Sequence, residues 1–401
     1  MNKSTNGSSG EGLGHNFFHD DPSLSISVLS PAGEEPATQT GRPVNLESVA
    51  QGAGEESAAD KLRRKLKERV FDVRTVPPKV RAILKLAGKT IVTPGNISGV
   101  QALPKAGKTT VVQSMIAAFF CSSFRSHFDA SRQDPDTLSF TAENPKGRAV
   151  VVFDTEQSLG DHDSQNRCAL RRAKVDKPPD WYYSYCVTDM DIEERLRAVA
   201  QVMEDAQLKH GGVELLVLDG VADFCKDPND PAESFALVGY LHALAIKYDC
   251  AVLYVIHENP GGGAEGKTRG HLGSQLERKA ETPLRLAKDS STGVTTMWSD
   301  RARHCHLPKE EGVCFRWSDE EKMHISAGSA KQIKATAKAS KARTEAEAAF
   351  GDSTTMAYSE LVAAIMDSTG LVKSTAERRV RAYTIEGIVL KNPSGTYSLK
   401  P

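Results

Sequence analysis

No run of this sequence approaches the ~20 consecutive apolar residues that a membrane span needs. A membrane-embedded protein, or a membrane partner, is therefore not expected. The N-terminus is polar and acidic and lacks the apolar centre of a secretion signal, so the cytoplasm is the expected location. The seven cysteines (121, 168, 186, 225, 250, 305 and 314) show no CxxC pairing, which suits a reducing compartment. His304-Cys305-His306 with Cys314 matches no common zinc spacing. An excess of one charge is also missing. The net charge is −1, so any nucleic-acid surface must be local rather than spread over the whole chain. At 401 residues and 39% hydrophobic, the chain can build two or three domains and a large core.

What is present centres on Asn96 to Phe120, NISGVQALPKAGKTTVVQSMIAAFF. The apolar run Ile97–Leu103 predicts a buried strand. A tight turn follows at Pro104-Lys105-Ala106-Gly107. From Lys108 the apolar residues Val111, Val112, Met115, Ile116 and Phe119 recur at helical spacing. Strand, small-residue loop, Lys-Thr and helix are the parts of a nucleotide phosphate cradle. Backbone N–H groups of the loop and helix N-terminus would face the phosphates. The cradle would comprise Ala102, Leu103, Pro104, Lys105, Ala106, Gly107, Lys108, Thr109 and Thr110. Lys108 would sit on the β- and γ-phosphates of ATP, and the Thr109 hydroxyl would ligate Mg²⁺. The pattern asks for Gly five residues before Gly107, and the chain has Ala102 there.

The rest of the chain fits strands alternating with helices. Upstream, residues 60–70 read as a short basic amphipathic helix and 81–93 as a hairpin turning at Ala-Gly-Lys. Residues 122–147 are a polar excursion. Three continuous apolar runs, RAVVVFDT (148–155), VELLVLD (213–219) and CAVLYVI (250–256), predict strands buried on both faces. The first leads into Asp154-Thr155-Glu156-Gln157, the second ends at Asp219, and the third meets His257-Glu258-Asn259. Polar groups just past the C-terminal ends of parallel strands stand at the ligand edge of an α/β sheet. Asp219 would hold Mg²⁺ through water, with Asp223 close by. A strand-ending aspartate also serves to cap a loop, and a histidine at position 257 also occurs as a buried group satisfied by backbone. Helices are expected at 161–174, at 189–210 starting from Asp189 or Asp191, and at 231–248, with an aromatic strand at 181–187 between the first two.

Pro260 to Gly270, PGGGAEGKTRG, is a Gly-rich loop carrying Lys267 and Arg269, which could reach a nucleic-acid backbone or simply be a surface loop. A short helix at 271–280 and hairpins at 283–298 and 313–326 follow. Ala327–Ala349 is Ala/Lys-rich and polar all round, a linker or an exposed helix. From residue 331 onward, 11 Lys/Arg against seven Asp/Glu give a local charge of +4. There a helix with Leu361, Val362, Ile365 and Met366 precedes Ser374-Thr375-Ala376-Glu377, read as a capping box. The second helix carries Arg378, Arg379 and Arg381, and a hairpin turns at Asn392-Pro393-Ser394-Gly395. Helices followed by a wing suit duplex DNA contact, or equally a protein-packing module.

Together these residues resemble the RecA-type ATPase superfamily. The resemblance is strongest to the AAA-type branch similar to the hexameric plasmid helicase RepA, found on mobile elements. TPGNISGVQALPKAGKTT, VVVFDTEQS, LLVLDGVADF, VLYVIHENPG and KTRGHLGSQLERKAET carry it, over about residues 81–326. The resemblance implies a RecA-like P-loop α/β core. With the polar tail expected to be disordered from its composition and the C-terminal helices and hairpin read as a small winged helix, the chain divides into a disordered tail (1–58), an ATPase core (59–326), a linker (327–352) and a winged-helix domain (353–401). The resemblance also assigns roles. Glu156, ending the strand beside the phosphate loop, would polarise the attacking water. Asp219 would be the metal-linked acid and His257 the γ-phosphate sensor. Lys267 and Arg269 would line a central pore around single-stranded DNA. Arg301 and Arg303 would reach a neighbouring subunit's nucleotide in a ring of six. Arg301 stands where DnaB-type helicases carry Lys, and no primase-like or long helical domain precedes the core. The expected activity is ATP hydrolysis driving a helicase or translocase in replication or mobilisation of a plasmid or mobile element. A DNA-binding regulator whose ATPase sets its oligomeric state, and a KaiC-like signalling ATPase, are the other classes.

Overall fold

The computed structural model describes residues 57–76, 79–124, 134–259, 268 and 270–400. The expected disordered tail, apart from its last two residues, and Lys267 and Arg269 of the Gly-rich loop lie outside the described residues. The chain divides into a unit ending at Val80 and a larger one beginning at Arg81. In the first, α1 (Ala58–Lys67) is capped by Ser57, whose hydroxyl accepts from the Asp60 N–H at 3.2 Å. Arg64, Lys65 and Lys67 sit in its last turn, where the helix dipole favours cations.

The second unit opens with β1 (Leu84–Leu86) and β2 (Lys89–Val92), a hairpin turning at Ala87 and Gly88 as expected. Next come β3 (Ile97–Ala102), α2 (Lys108–Phe124), β4 (Phe140–Ala142), β5 (Ala149–Asp154), α3 (Leu159–Ala173) and β6 (Tyr182–Cys186). Then follow α4 (Ile192–His210), β7 (Val213–Asp219), α5 (Pro231–Lys247), β8 (Ala251–His257), α6 (Gly270–Lys279), β9 (Pro283–Lys288) and β10 (Thr295–Trp298). β11 (Val313–Ser318), β12 (Met323–Ser329), α7 (Ala330–Phe350), α8 (Tyr358–Thr369), α9 (Lys373–Ile385), β13 (Val389–Lys391) and β14 (Tyr397–Leu399) complete it. Between the two candidate starts of α4, the structure selects Asp191, which forms a capping box with Glu194.

A nine-stranded sheet in the order β12-β11-β10-β9-β3-β8-β7-β5-β6 organises the unit. The strands from β9 to β6 in that order are parallel neighbours, and β10, β11 and β12 extend the sheet antiparallel. The apolar strands are continuous because both faces are covered. Leu215 and Val217 of β7 join the cluster under α2 and α3, and Leu216 and Leu218 join the one under α4, α5 and α6. Alternate residues point to opposite faces, so each run feeds two cores. Each such Leu or Val contributes roughly 1.5–3 kcal/mol on burial. Gly99 of β3 is paired with Tyr254 of β8, and a Cβ at 99 would fall 2.1 Å from the Tyr254 ring. Only a bare Cα lets the ring lie across the strand.

Three expectations need correction, and a fourth is refined. β5 is not beside β3, since β8 and β7 lie between them. The polar excursion at 122–147 contains β4, which pairs with β1 to form a three-stranded sheet with β2. Three residues are too few to show a period, and the pairing is with a distant segment. Of the two readings of 327–349, a linker or an exposed helix, the structure has the helix: α7 follows β12 directly behind a Ser329–Gln332 capping box, and one of its faces is buried. Its Ala342, Ala346, Ala349 and Phe350 are buried with Leu361, Val362, Ile365, Val380, Tyr383 and Val389. Alanines read as neutral in a polarity pattern, yet spaced by a helical turn they let another helix approach closely. α9 begins at Lys373 with Val372 as its uncapped N-cap, so the capping box read at Ser374 does not form.

Candidate nucleotide site

β3 delivers the chain to the sheet's C-terminal edge at Ala102, which is fully buried. Pro104, Lys105, Ala106 and Gly107 then turn sharply: Lys105 has φ +62° and Gly107 φ +97°. The Ala106 N–H donates to the Leu103 carbonyl at 3.3 Å, and α2 starts at Lys108. Ala102 occupies a strand position where its methyl is absorbed in the core beside Val100 and Ala106. The departure from glycine therefore leaves the turn intact.

The parallel register of β3 and β8 sets Ala102 opposite His257, and the Glu258 N–H donates to the Ala102 carbonyl at 2.9 Å. This puts His257 next to the loop. The Lys108 ammonium donates to His257 Nδ1 at 2.9 Å, and His257 Nε2 lies 3.2 Å from Glu156 Oε1. With Nδ1 accepting, the ring proton belongs on Nε2, where it can donate to the carboxylate. Lysine, imidazole and carboxylate thus form one chain of contacts. Burial lowers the Lys108 pKa, opposed by Glu156, Asp219 and Glu258.

Asp219 ends β7 in register with Asp154 of β5 and Val255 of β8. It is buried, and its pKa is pushed up to about 7, first by burial, then by Asp154 and Glu156, with Lys108 opposing. Asp154 was not singled out in the sequence. Its Oδ1 accepts from the Glu156 and Gln157 N–H groups at 3.0 and 3.1 Å, which shapes the turn that presents Glu156. Its Oδ2 meets His162 Nδ1 at 3.2 Å, and His162 Nε2 lies 3.1 Å from Ser184 Oγ. The strand-end position of Asp154, matching that of Asp219, was the available signal. Asp223 is engaged elsewhere, accepting from Thr155 Oγ1 at 2.7 Å.

The residues suit a magnesium nucleotide. Lys108 feels the carboxylates of Glu156, Asp219 and Glu258, and Asp154 stands beside Asp219, an acidic surplus that a hard divalent cation would relieve; Thr109 adds a neutral oxygen at the start of α2. Among the described residues no group of three or more His, Cys, Asp or Glu side chains is placed to hold a metal ion by itself, and His304 Nε2 pairs with Glu281 at 3.0 Å.

Other expected residues stand apart. Arg301 is ion-paired with Glu277 of α6 at 3.2 Å. Arg303 donates from Nη2 to the Lys279 carbonyl at 3.1 Å and from its N–H to the Glu281 carbonyl at 2.9 Å. Within one chain neither is brought to the Lys108 group. Of the α9 arginines, Arg378 and Arg381 are exposed. Arg379 is instead held inside the fold, donating to Glu345 of α7 at 2.7 Å. Within the chain its guanidinium is thus engaged by Glu345.

A parallel α/β sheet with a lysine-bearing phosphate loop at its C-terminal edge and an acid ending a neighbouring strand defines a P-loop ATPase domain. The family model described as an AAA domain matches residues 58–263, just over half of the chain, and the chain belongs to that family. No curated protein matches it. Among the described residues no helix is long and apolar enough to cross a membrane.

Proposed function

We propose that the chain hydrolyses ATP to ADP and phosphate and uses the cycle to drive a RepA-like DNA helicase or translocase, in replication or mobilisation of a plasmid or mobile element. The Lys108–His257–Glu156 chain of contacts carries this reading, because it links a phosphate-binding cation to a water-activating carboxylate through one imidazole. When ATP occupies the loop, Lys108 leaves His257 for the β- and γ-phosphates. His257 then reports the γ-phosphate to Glu156, which orients the attacking water and accepts its proton. Thr109 and Asp219 would hold Mg²⁺, which would supply charge neutralisation on the phosphates when bound. Arg301 and Arg303 are exposed enough or peripheral enough to serve a neighbouring subunit, which supports a ring, taken as six, with ATP between subunits.

For DNA, the segment bearing Lys267 and Arg269 follows β8 in the sequence, after the strand that ends at His257. α8, α9 and the β13–β14 hairpin are read as a winged helix whose exposed Arg378 and Arg381 meet duplex phosphate. The alternative is a regulatory DNA-binding protein in which ATP controls oligomerisation. It is favoured by α7, α8, α9 and the hairpin together sharing a hydrophobic cluster distinct from the two that cover the sheet.

Steady-state ATPase with and without single-stranded DNA, beside Lys108→Ala, tests the reading. Strong stimulation by single strands, lost when Lys267 and Arg269 are replaced, is expected of the translocase. A low rate indifferent to DNA moves the assignment to the regulator.

A further inference from the structure

The β11–β12 hairpin folds over the start of α2. Phe315 is fully buried there, and a Cβ at Gly107 would lie 2.9 Å from its ring. One step along the same face, His324 stands edge-on to Phe315, with ring centroids 5.7 Å apart at 87°. It stands edge-on to Trp317 as well, at 5.4 Å and 80°. His324 Nδ1 lies 3.1 Å from Thr110 Oγ1 in the first turn of α2. Trp317 is 50% exposed, while Trp181 and Trp298 are buried. The Trp317 Nε1–H donates to Asp319 at 3.0 Å, which fixes the indole by its edge.

The sheet order separates the two ends of the cradle. β8, β7 and β5, which carry His257, Asp219 and the Glu156 turn, lie on one side of β3. β9 to β12 lie on the other. A triphosphate with its γ-group at Lys108, His257 and Glu156 would have its α-group toward Thr110, and its nucleoside would leave on the hairpin side.

We propose that the indole face of Trp317, braced by His324 and Asp319, is the stacking platform for the nucleobase of the bound triphosphate, with His324 orienting the Thr110 hydroxyl toward the α-phosphate. This rests on the Lys108 loop binding the triphosphate. Stacking is sequence-tolerant, since every base has a π-face, so the platform secures a nucleoside triphosphate over a bare polyphosphate rather than one base over another. Burial, then Arg172 and Lys288, lower the His324 pKa, which favours the neutral ring that the role needs. The tautomer with its proton on Nδ1 donates to Thr110 Oγ1 and leaves the hydroxyl proton for a phosphate oxygen.

The test is equilibrium binding of ATP and of inorganic tripolyphosphate, each with Mg²⁺, to the full chain, to Trp317→Ala, to Trp317→Phe and to Lys108→Ala. Trp317→Ala should weaken ATP about ten-fold, within what one base–aromatic stack supplies, and leave tripolyphosphate unchanged. Trp317→Phe, which keeps a ring, should retain most of the affinity for ATP. Tryptophan fluorescence of the wild type should change with ATP but not with tripolyphosphate. Equal ATP affinity in wild type and Trp317→Ala, or an equal loss for both ligands, would overturn the platform. Affinities for both ligands that Lys108→Ala leaves unchanged would instead overturn the loop assignment, and the platform with it.

Discussion

Lys108 donates to His257 Nδ1 across 2.9 Å, and this bond exists because Ala102 and His257 are register partners at the ends of β3 and β8. The same imidazole reaches Glu156 in the turn after β5, the strand two places further along the sheet. His257→Ala should therefore leave ATP affinity within about three-fold and lower kcat roughly 10²-fold, the scale on which a positioned proton-transfer group acts. Glu156→Gln should keep ATP binding and lose nearly all turnover. Phosphate release beside nucleotide binding checks both, and wild-type turnover in Glu156→Gln would remove that residue from catalysis.

Asp219 gives a pH signature. Its pKa is raised from 3.8 to about 7, mainly by burial. Between those values the folded, nucleotide-free state holds a proton that the unfolded state has released. Stability therefore falls as pH rises from about 4 to about 7 and is flat above, by on the order of 1 kcal/mol per pH unit at most from this group. Asp219→Asn should remove that slope and abolish turnover, as seen by thermal unfolding across pH and by phosphate release. An unchanged slope in the variant would show that Asp219 is ionised throughout.

Gly99→Ala should lower stability by about 1–3 kcal/mol, the usual cost of forcing extra volume into a packed core. The added methyl meets the Tyr254 ring rather than a flexible chain end. Shrinking that ring in Gly99→Ala/Tyr254→Leu should recover part of the loss, which a shift in urea midpoint measures. A neutral Gly99→Ala would mean that Tyr254 does not lie across β3.

The C-terminal helices should not be separable at residue 353. α7 supplies Ala342, Ala346, Ala349 and Phe350 to their core, and Glu345 accepts from both Arg379 and the Tyr383 hydroxyl. A fragment of residues 330–401 should unfold cooperatively, and one of 353–401 should show little or no cooperative transition by circular dichroism. Cooperative melting of the shorter fragment would show that α7 is dispensable.

The sequence by itself determined the fold class and the place of the site. Continuous apolar runs such as VELLVLD can be satisfied only by strands buried on both faces, and Lys-Thr after a small-residue turn marks the helix start that meets phosphate. Asp219, His257 and Glu156 were legible for the same reason, as polar groups ending apolar runs. Strand order was not legible. Whether β5 adjoins β3 depends on hydrogen bonds between residues far apart in the chain, and each run would pair equally well with any other. For the same reason the sequence did not reveal that His257 bridges Lys108 and Glu156, that Asp154 shapes the Glu156 turn, or that Thr110, His324 and Trp317 meet at the other end of the cradle. Nor did it show that Arg379 is taken by Glu345. Local pattern states what a residue can do, and only the tertiary structure decides which partner it meets.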